Sequence, residues 1–184
     1  MRLKPGDRAG DFDTLDMEGR RITLKDYTGS RLLLSFHRYA SCPLCNLRLH
    51  RLIGNLDRFA DQGLQVLAVF QSSPESIKKY VGRQKAPFPL VADPEHVMYR
   101  AYGVETSWRG FVKGGLRVVS LARAMGLGYR PGQMEGRVAL VPADFLIGPD
   151  LTVSRAYYGR DIGDHLPLSA IESWLQGQEP RPRT

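Results

Sequence analysis

The sequence is poor in cysteine and has no long apolar run. Only 2 cysteines occur in 184 residues, which excludes a secreted scaffold held together by several disulfides. No stretch of about 18 apolar residues is available to span a bilayer, and residues 1–7 carry no apolar secretory segment. These absences predict a cytoplasmic protein, and in that reducing compartment a close pair of cysteines is more often catalytic or metal-binding than structural.

The chain also lacks a basic block interleaved with aromatic residues, although its formal net charge is +7. Its arginines are scattered at helix-surface spacing, so the charge indicates solvated surface and not a nucleic-acid site. We find no internal repeat, and 42% of the residues are hydrophobic, which suits one domain over residues 1–184. We predict no cofactor, no nucleic-acid partner and no membrane partner.

Both cysteines lie in one stretch, residues 31–50, at positions 42 and 45. Leu32–Phe36 is a short aliphatic run typical of a strand in the middle of a covered sheet. From Pro43 to Phe59 apolar residues recur at spacings of three and four, with polar residues including Arg48 between them, which predicts an amphipathic helix that closes near Gly63.

The pair of cysteines therefore falls at the N-terminal end of the predicted helix. Pro43 suits the first helical turn, where a missing N–H costs nothing. Free backbone N–H groups and the helix dipole at this end stabilise negative charge, and so favour thiolate over thiol for Cys42 and Cys45. Two cysteines three residues apart can also close a small disulfide, which gives an attacking sulfur a resolving partner.

Two other interpretations of the pair stay open at this point. The thiols could simply be buried small apolar groups. A metal site is the other, but structural zinc needs four ligands and the chain has no second cysteine pair, so His37 and His50 would have to complete it.

The remaining pattern alternates strands and helices, which predicts a mostly parallel sheet with right-handed crossovers. The predicted elements are a hairpin over residues 3–24, strands at 64–70 and 90–92, helices that begin near Ser72 and Asp93, a second hairpin over 138–158 and a closing helix at 167–175.

Residues 106–136 depart from this alternation. Val112 to Met125 has helical spacing interrupted by two glycines, and residues 126–136 form a glycine-rich loop. The loop is either a simple insertion or a lid over the cysteines.

The order of elements, the Cys-Pro-Leu-Cys helix and the hairpin that begins at Val141-Pro142 resemble the thioredoxin fold. Residues 6–12, 24–29, 87–93 and 101–104 resemble the peroxiredoxins of the alkyl hydroperoxide reductase and thiol-specific antioxidant family. The resemblance implies an α/β thioredoxin-like fold, a central mixed sheet flanked by helices, with an N-terminal β-hairpin and an insertion around residues 106–136. It also implies a cis-proline at Pro142, next to the sulfurs.

The chain departs from this family at the cysteines. Peroxiredoxins carry a proline and a threonine or serine seven and three residues before the peroxidatic cysteine. If Cys45 takes that role, Arg38 and Cys42 occupy those positions, and the hydroxyl is missing. Arg137 is a candidate for the family's arginine.

We therefore predict a thiol-dependent oxidoreductase that uses Cys42, Cys45 and Pro142. In disulfide exchange Cys42 would attack and Cys45 resolve; in peroxide reduction the roles would reverse. The reductant would be thioredoxin, glutaredoxin or a small thiol. The alternatives are a catalytically inactive binding or scaffold protein, with a possible homodimer through Trp108 to Met125, and a redox sensor.

Overall fold

The computed structural model describes residues 1–115 and 117–178 and contains two sheets. The first is an antiparallel hairpin of β1 (Asp13–Leu15) and β2 (Arg21–Thr23). The second has five strands in the order β5-β4-β3-β6-β7. Its strands are β3 (Arg31–Phe36), β4 (Leu64–Phe70), β5 (Leu90–Ala92), β6 (Ala143–Ile147) and β7 (Val153–Tyr158).

The five-stranded sheet is mixed, as predicted. Strands β3, β4 and β5 pair in parallel, whereas β6 pairs antiparallel with both β3 and β7. The central strand β3 is therefore bonded on both edges and delivers the chain directly into the cysteine segment.

Seven α-helices are assigned within the described residues. They are α1 (Pro43–Ile53), α2 (Leu56–Ala60), α3 (Pro74–Tyr80), α4 (Val97–Ala101), α5 (Trp108–Gly115), α6 (Val118–Gly126) and α7 (Leu168–Leu175). Helix α3 has the predicted serine cap, since the Ser73 side chain accepts a hydrogen bond from the Ser76 N–H.

Two helices begin or end at residues that differ from the predicted ones. The single helix expected from Pro43 to Phe59 is divided at Gly54, which caps α1 before α2 begins. The helix expected to begin at Asp93 begins instead at Val97, after His96 adopts a left-handed φ of 56°. The Asp93 carboxylate still satisfies the first turn, because it accepts hydrogen bonds from the N–H groups of Val97 and Met98.

Side chains alternate along β3 between two hydrophobic clusters. Leu32, Leu34 and Phe36 join the cluster on one face of the sheet, whereas Leu33 joins the other cluster together with Cys42 and Cys45. Helix α1 thus covers the second face, and the cysteines lie between this helix and the sheet.

The insertion consists of α5, α6 and an irregular segment over residues 127–138, here called the strap. Helices α5 and α6 confirm the interrupted helical pattern. Trp108, Val112 and Val119 on these helices are exposed. No helix among the described residues is long and apolar enough to cross a bilayer.

Candidate active site

Both cysteines stand where the sequence predicts, at the start of the helix that follows β3. Cys42 is the N-cap residue of α1 and Pro43 is the first helical residue. Both thiols are free, and Cys42 and Cys45 are 1% and 0% exposed. The pair is therefore reduced and closed off from solvent in this conformation.

The two thiols differ sharply in acidity. A hydrogen bond from the Cys45 thiol outweighs the effect of burial and, with the Arg38 charge and the backbone N–H groups of Cys45 and Leu44, lowers the pKa of Cys42 to about 6. Burial and the neighbouring Cys42 raise the pKa of Cys45 well above its usual value. At neutral pH Cys42 is therefore the thiolate and Cys45 the thiol that donates to it.

Arg38 is the charged partner of the Cys42 sulfur. Its Nη1 donates a hydrogen bond of 3.4 Å to Cys42 Sγ, and its Nη2 donates to the Val138 carbonyl of the strap. The guanidinium lies over the rings of Tyr39 and Phe111, 4.8 and 5.7 Å from their centroids. This buried arginine is held from both sides, so its charge is fixed against the sulfur.

The sequence named Arg38 only as the occupant of the family's proline position. Arg137, the candidate for the family's arginine, is exposed, and its backbone N–H and carbonyl bond to the Gln71 side chain. Arg38 lies four residues before Cys42, and this spacing is the one sequence signal that could have indicated the contact.

Pro142 lies at the same end of β3 as the cysteine segment. Strand β6 begins at Ala143, which pairs with Phe36, so Pro142 is one residue beyond the last pair. The expected cis peptide bond is wrong, because no peptide bond is cis in the part of the chain that the structure describes. The trans form is the default for an X-Pro bond, and here the preceding Val141 N–H bonds to the Glu105 carbonyl, just before the insertion.

The strap closes over the cysteine segment. Ser41 Oγ donates to the Gln133 carbonyl, and the Gln71 side chain bonds to both the N–H and the carbonyl of Arg137. Gly136 has a φ of +63°, and a Cβ there would be 2.6 Å from Gln71 Oε1, so this close approach requires glycine. The contacts favour the lid interpretation of the glycine-rich loop over a simple insertion.

A buried polar cluster lies on the same face of the sheet. Asp144 Oδ1 accepts a 2.5 Å hydrogen bond from Ser35, and Asp144 Oδ2 lies 3.0 Å from His165 Nδ1 and 3.8 Å from Arg48 Nη2. Burial alone would raise the pKa of Asp144, but His165 and Arg48 hold it well below its usual range. The sequence pattern gives no sign of this cluster and predicts Arg48 on the polar face of its helix, whereas the structure buries it.

The two histidines considered as metal ligands have other surroundings. His37 is fully buried, stacks on Phe70 with ring centroids 4.7 Å apart, and has a pKa lowered well below its usual value by burial. The His50 ring lies 6.2 Å from that of Tyr129. Within residues 1–115 and 117–178, no three His, Cys, Asp or Glu side chains are grouped to hold a metal ion.

The fold and the site together define a thioredoxin-fold protein whose two cysteines form one thiol centre. The model of the AhpC/TSA family matches residues 5–156. The chain therefore belongs to the AhpC/TSA family, which confirms the predicted resemblance.

Relatives with peroxiredoxin names match part of the chain. Peroxiredoxin Bcp of Escherichia coli is 30% identical over 120 residues, which cover 64% of this chain and 77% of that protein. A Mycobacterium tuberculosis protein with a peroxiredoxin name is 34% identical over 102 residues, or 55% of this chain and 65% of its own length. The chain thus spans slightly less than two thirds of that relative.

Solved structures show the same fold. Peroxidoxin BcpB from Mycobacterium tuberculosis has a TM-score of 0.68 at 15% identity, with both chains fully covered. A PrxQ variant from Xylella fastidiosa has a TM-score of 0.68 at 19% identity and 96% coverage of each chain. A protein from Chlorobium tepidum named as thiol:disulfide interchange protein DsbE has a TM-score of 0.65 at 21% identity, with 96% of this chain and 98% of that chain covered. These matches confirm the predicted α/β thioredoxin-like class.

Proposed function

We propose that this protein is a thiol-dependent peroxidase in which Cys42 attacks and Cys45 resolves. The observation that carries the proposal is the difference in acidity within the pair: Cys42, with a pKa of about 6, is held against Arg38, whereas Cys45 keeps its proton. The thiolate is the nucleophilic form of cysteine. This assignment reverses the roles that the family resemblance implies for peroxide reduction.

The reaction that follows balances within the pair and its substrate. The Cys42 thiolate attacks one peroxide oxygen, the O–O bond breaks, and the leaving alkoxide takes a proton to become an alcohol. Cys42 is then a sulfenic acid. Cys45 attacks its sulfur, water leaves, and a Cys42–Cys45 disulfide remains. An external dithiol or two small thiols then restore both cysteines and become the disulfide.

The second candidate is thiol–disulfide exchange with the same attacking residue. It is favoured by the absence of a hydroxyl three residues before Cys45, where Cys42 itself stands, and by the position of Cys42 at the N-cap of α1. In this reaction the Cys42 thiolate attacks a substrate disulfide and Cys45 resolves the mixed disulfide. Pro142, beside the end of β3, would position the bound substrate in either reaction.

Single-turnover mixing of the reduced protein with cumene hydroperoxide, and separately with a peptide disulfide, tests both candidates. We expect Cys45→Ser to consume one equivalent of hydroperoxide and to stop at the sulfenic acid, and Cys42→Ser to consume none. The rate should rise with pH to a plateau above about pH 7, with its midpoint at the pKa of Cys42.

Each outcome has a definite meaning. Consumption by Cys42→Ser and not by Cys45→Ser would refute the assignment of roles. If the reduced protein reacts with the peptide disulfide and not with the hydroperoxide, thiol–disulfide exchange is the activity and the peroxidase proposal fails. No reaction of the reduced protein with either reagent would refute both, and would leave the binding or scaffold alternative.

Thioredoxin, glutaredoxin or a small thiol is the proposed class of reductant. The 1% exposure of Cys42 means that a protein reductant reaches the disulfide only after the strap moves. The homodimer through α5 and α6 stays a prediction, which sedimentation velocity of the reduced protein checks.

A further inference from the structure

An open cavity of about 650 Å³ lies between α1, the C-terminal end of α3 and the beginning of the strap. Its volume falls within the range of about 300 to 1,000 Å³ that is typical of small-molecule sites. The cavity does not contain Cys42 or Cys45, and neither the predicted chemistry nor the strap contacts account for it.

The cavity is lined by positively charged side chains and by no negatively charged ones. Lys79, Arg83 and Arg130 line the cavity together with His50, and no aspartate or glutamate does. Among the described residues, none of these cationic side chains has a carboxylate partner within 4 Å. A concave surface with uncompensated cations attracts anions and raises their local concentration.

The aromatic lining adds apolar area between these cations. Tyr80 of α3 and Tyr129 of the strap both line the cavity. The Lys79 ammonium lies 5.0 Å from the Tyr80 ring centroid. A ligand that fits has several anionic groups joined by less polar segments.

One face of α1 connects this cavity with the cysteine pair. Cys42, Asn46 and His50 are four residues apart, so they follow one another on the same helix face, with a rise of about 5.4 Å for each turn. Asn46 and His50 line the cavity, and Ser41 lines its cysteine end. There the Ser41 hydroxyl is bonded to the Gln133 carbonyl of the strap.

We propose that this cavity binds a low-molecular-weight thiol of about tripeptide size that carries carboxylates, and that this thiol reduces the Cys42–Cys45 disulfide. The inference rests on the proposed function and names its reductant by chemical class. The cations hold the carboxylates, and the thiol extends along α1 to Cys42 once the Ser41–Gln133 contact opens.

The reduction takes two molecules of the thiol. The first attacks Cys42 Sγ as its thiolate, the bond to Cys45 breaks, and Cys45 receives the electron pair and a proton. The second attacks the ligand sulfur of the mixed disulfide and releases Cys42 as a thiolate. The products are the reduced protein and the disulfide of the small thiol.

The test compares glutathione with glutathione diethyl ester, which keeps the thiol and the peptide skeleton but masks both carboxylates. The pre-oxidised protein is mixed with each thiol at matched thiolate concentration, and the return of its free thiols is followed. We expect glutathione to be about tenfold faster at low ionic strength, and the advantage to shrink in about 0.5 M salt because the cations are exposed.

Variants locate the effect. Lys79→Gln and Arg83→Gln should each lower the advantage of glutathione, and the double variant should abolish it. Lys78→Gln is the matched control, because Lys78 is an exposed neighbour on the same helix that does not line the cavity. Titration calorimetry with S-methylglutathione, which cannot react, should show binding to the reduced protein and none to the double variant.

Equal rates for the two thiols, or equal losses in Lys78→Gln and Lys79→Gln, would overturn the inference while the proposed function stands. If hydroperoxide fails to produce the Cys42–Cys45 disulfide at all, the proposed function fails and this inference with it. Dithiothreitol is uncharged and compact, so it should reduce all variants at the same rate. That result would show that the substitutions leave the disulfide equally accessible.

Discussion

Replacing Arg38 with methionine should raise the pKa of Cys42 and lower the reactivity of the protein at neutral pH. Arg38 Nη1 is 3.4 Å from the Cys42 sulfur and is buried with it. Methionine has a similar length, but it lacks the positive charge and the N–H donor through which Arg38 contacts the sulfur.

The magnitude follows from this distance. Two unit charges 3.4 Å apart attract by about 5 kcal/mol at an effective dielectric constant of about 20, which corresponds to an upper limit of between about 3 and 4 pKa units. The guanidinium charge is spread over three nitrogens, and the donors from Cys45 and Leu44 remain in the variant. We therefore expect a rise of about 1 to 2 units.

A rise of that size changes the thiolate fraction strongly. With a pKa of about 6, about 90% of Cys42 is thiolate at pH 7, and with a pKa between about 7 and 8 the fraction is between about 50% and 10%. The single-turnover rate with hydroperoxide at pH 7 should fall by at least this ratio, and part of the loss should be recovered at pH 9.

Thiolate absorbance at 240 nm, measured against pH on the reduced protein, is the direct assay. Because the pKa of Cys45 is raised well above its usual value, only Cys42 titrates below about pH 8, and Cys42→Ser identifies its transition. Arg38→Lys keeps a positive charge but shortens the reach, so its midpoint should lie between those of wild type and Arg38→Met. Urea unfolding of each variant verifies that it is folded.

The matched control is Arg137→Met, which removes an exposed arginine of the strap whose backbone bonds to the Gln71 side chain. Its Cys42 midpoint should equal that of the wild type. An Arg38→Met midpoint that stays near pH 6, or an equal shift in Arg137→Met, would show that Arg38 does not control the acidity of Cys42.

Two further predictions concern the buried cluster and the strap. Asp144→Asn should lower the free energy of unfolding at pH 7 by about 3 kcal/mol, since it leaves Arg48 buried without its carboxylate. The pKa of Asp144 is depressed in the folded protein, so the contribution of its charge to stability is complete above the unfolded pKa of about 3.9 and is lost as the pH falls below that value. The difference in unfolding free energy between wild type and Asp144→Asn, measured in urea, should therefore be smaller at pH 3.5 than at pH 7. An equal difference at both pH values would contradict the ion-pair explanation. Gln71→Ala removes both bonds to Arg137 and should speed alkylation of Cys42 by a bulky maleimide at pH 8 by up to about tenfold, without moving the pKa of Cys42. The half-buried control Gln62→Ala, which loses a bond to the Arg58 carbonyl instead, should leave the alkylation rate unchanged. An unchanged rate in Gln71→Ala would show that the strap does not limit access.

The position of the site was predictable because it depends on local patterns. The aliphatic run of β3, Pro43 in the first turn and the helical spacing after it place Cys42 and Cys45 at a helix N-terminus without reference to any distant residue. The second hairpin and the closing helix follow from the same kind of periodicity, whereas the mixed sheet was implied only by the family resemblance.

The main failure of prediction involves a contact between distant segments. Arg48 occupies a surface position in the periodicity of α1, but Asp144 of β6 lies 3.8 Å from its guanidinium. The opposite charge of Asp144 offsets part of the free-energy cost of burying Arg48. The other two differences are local: the Gly54 N–H bonds to the carbonyls of His50 and Leu52 and ends α1 there, and the bond before Pro142 has the default trans form.

The sequence by itself determined that two thiols stand at the start of one helix, next to a strand of a thioredoxin-like sheet. It left open which of the two thiols is the more acidic. Only the tertiary structure decided this, because the acidity of a thiol depends on burial and on fixed charges around it. The insertion supplies Phe111 and Val138 to hold Arg38 against Cys42, and these residues lie about 70 to 100 positions away in the chain.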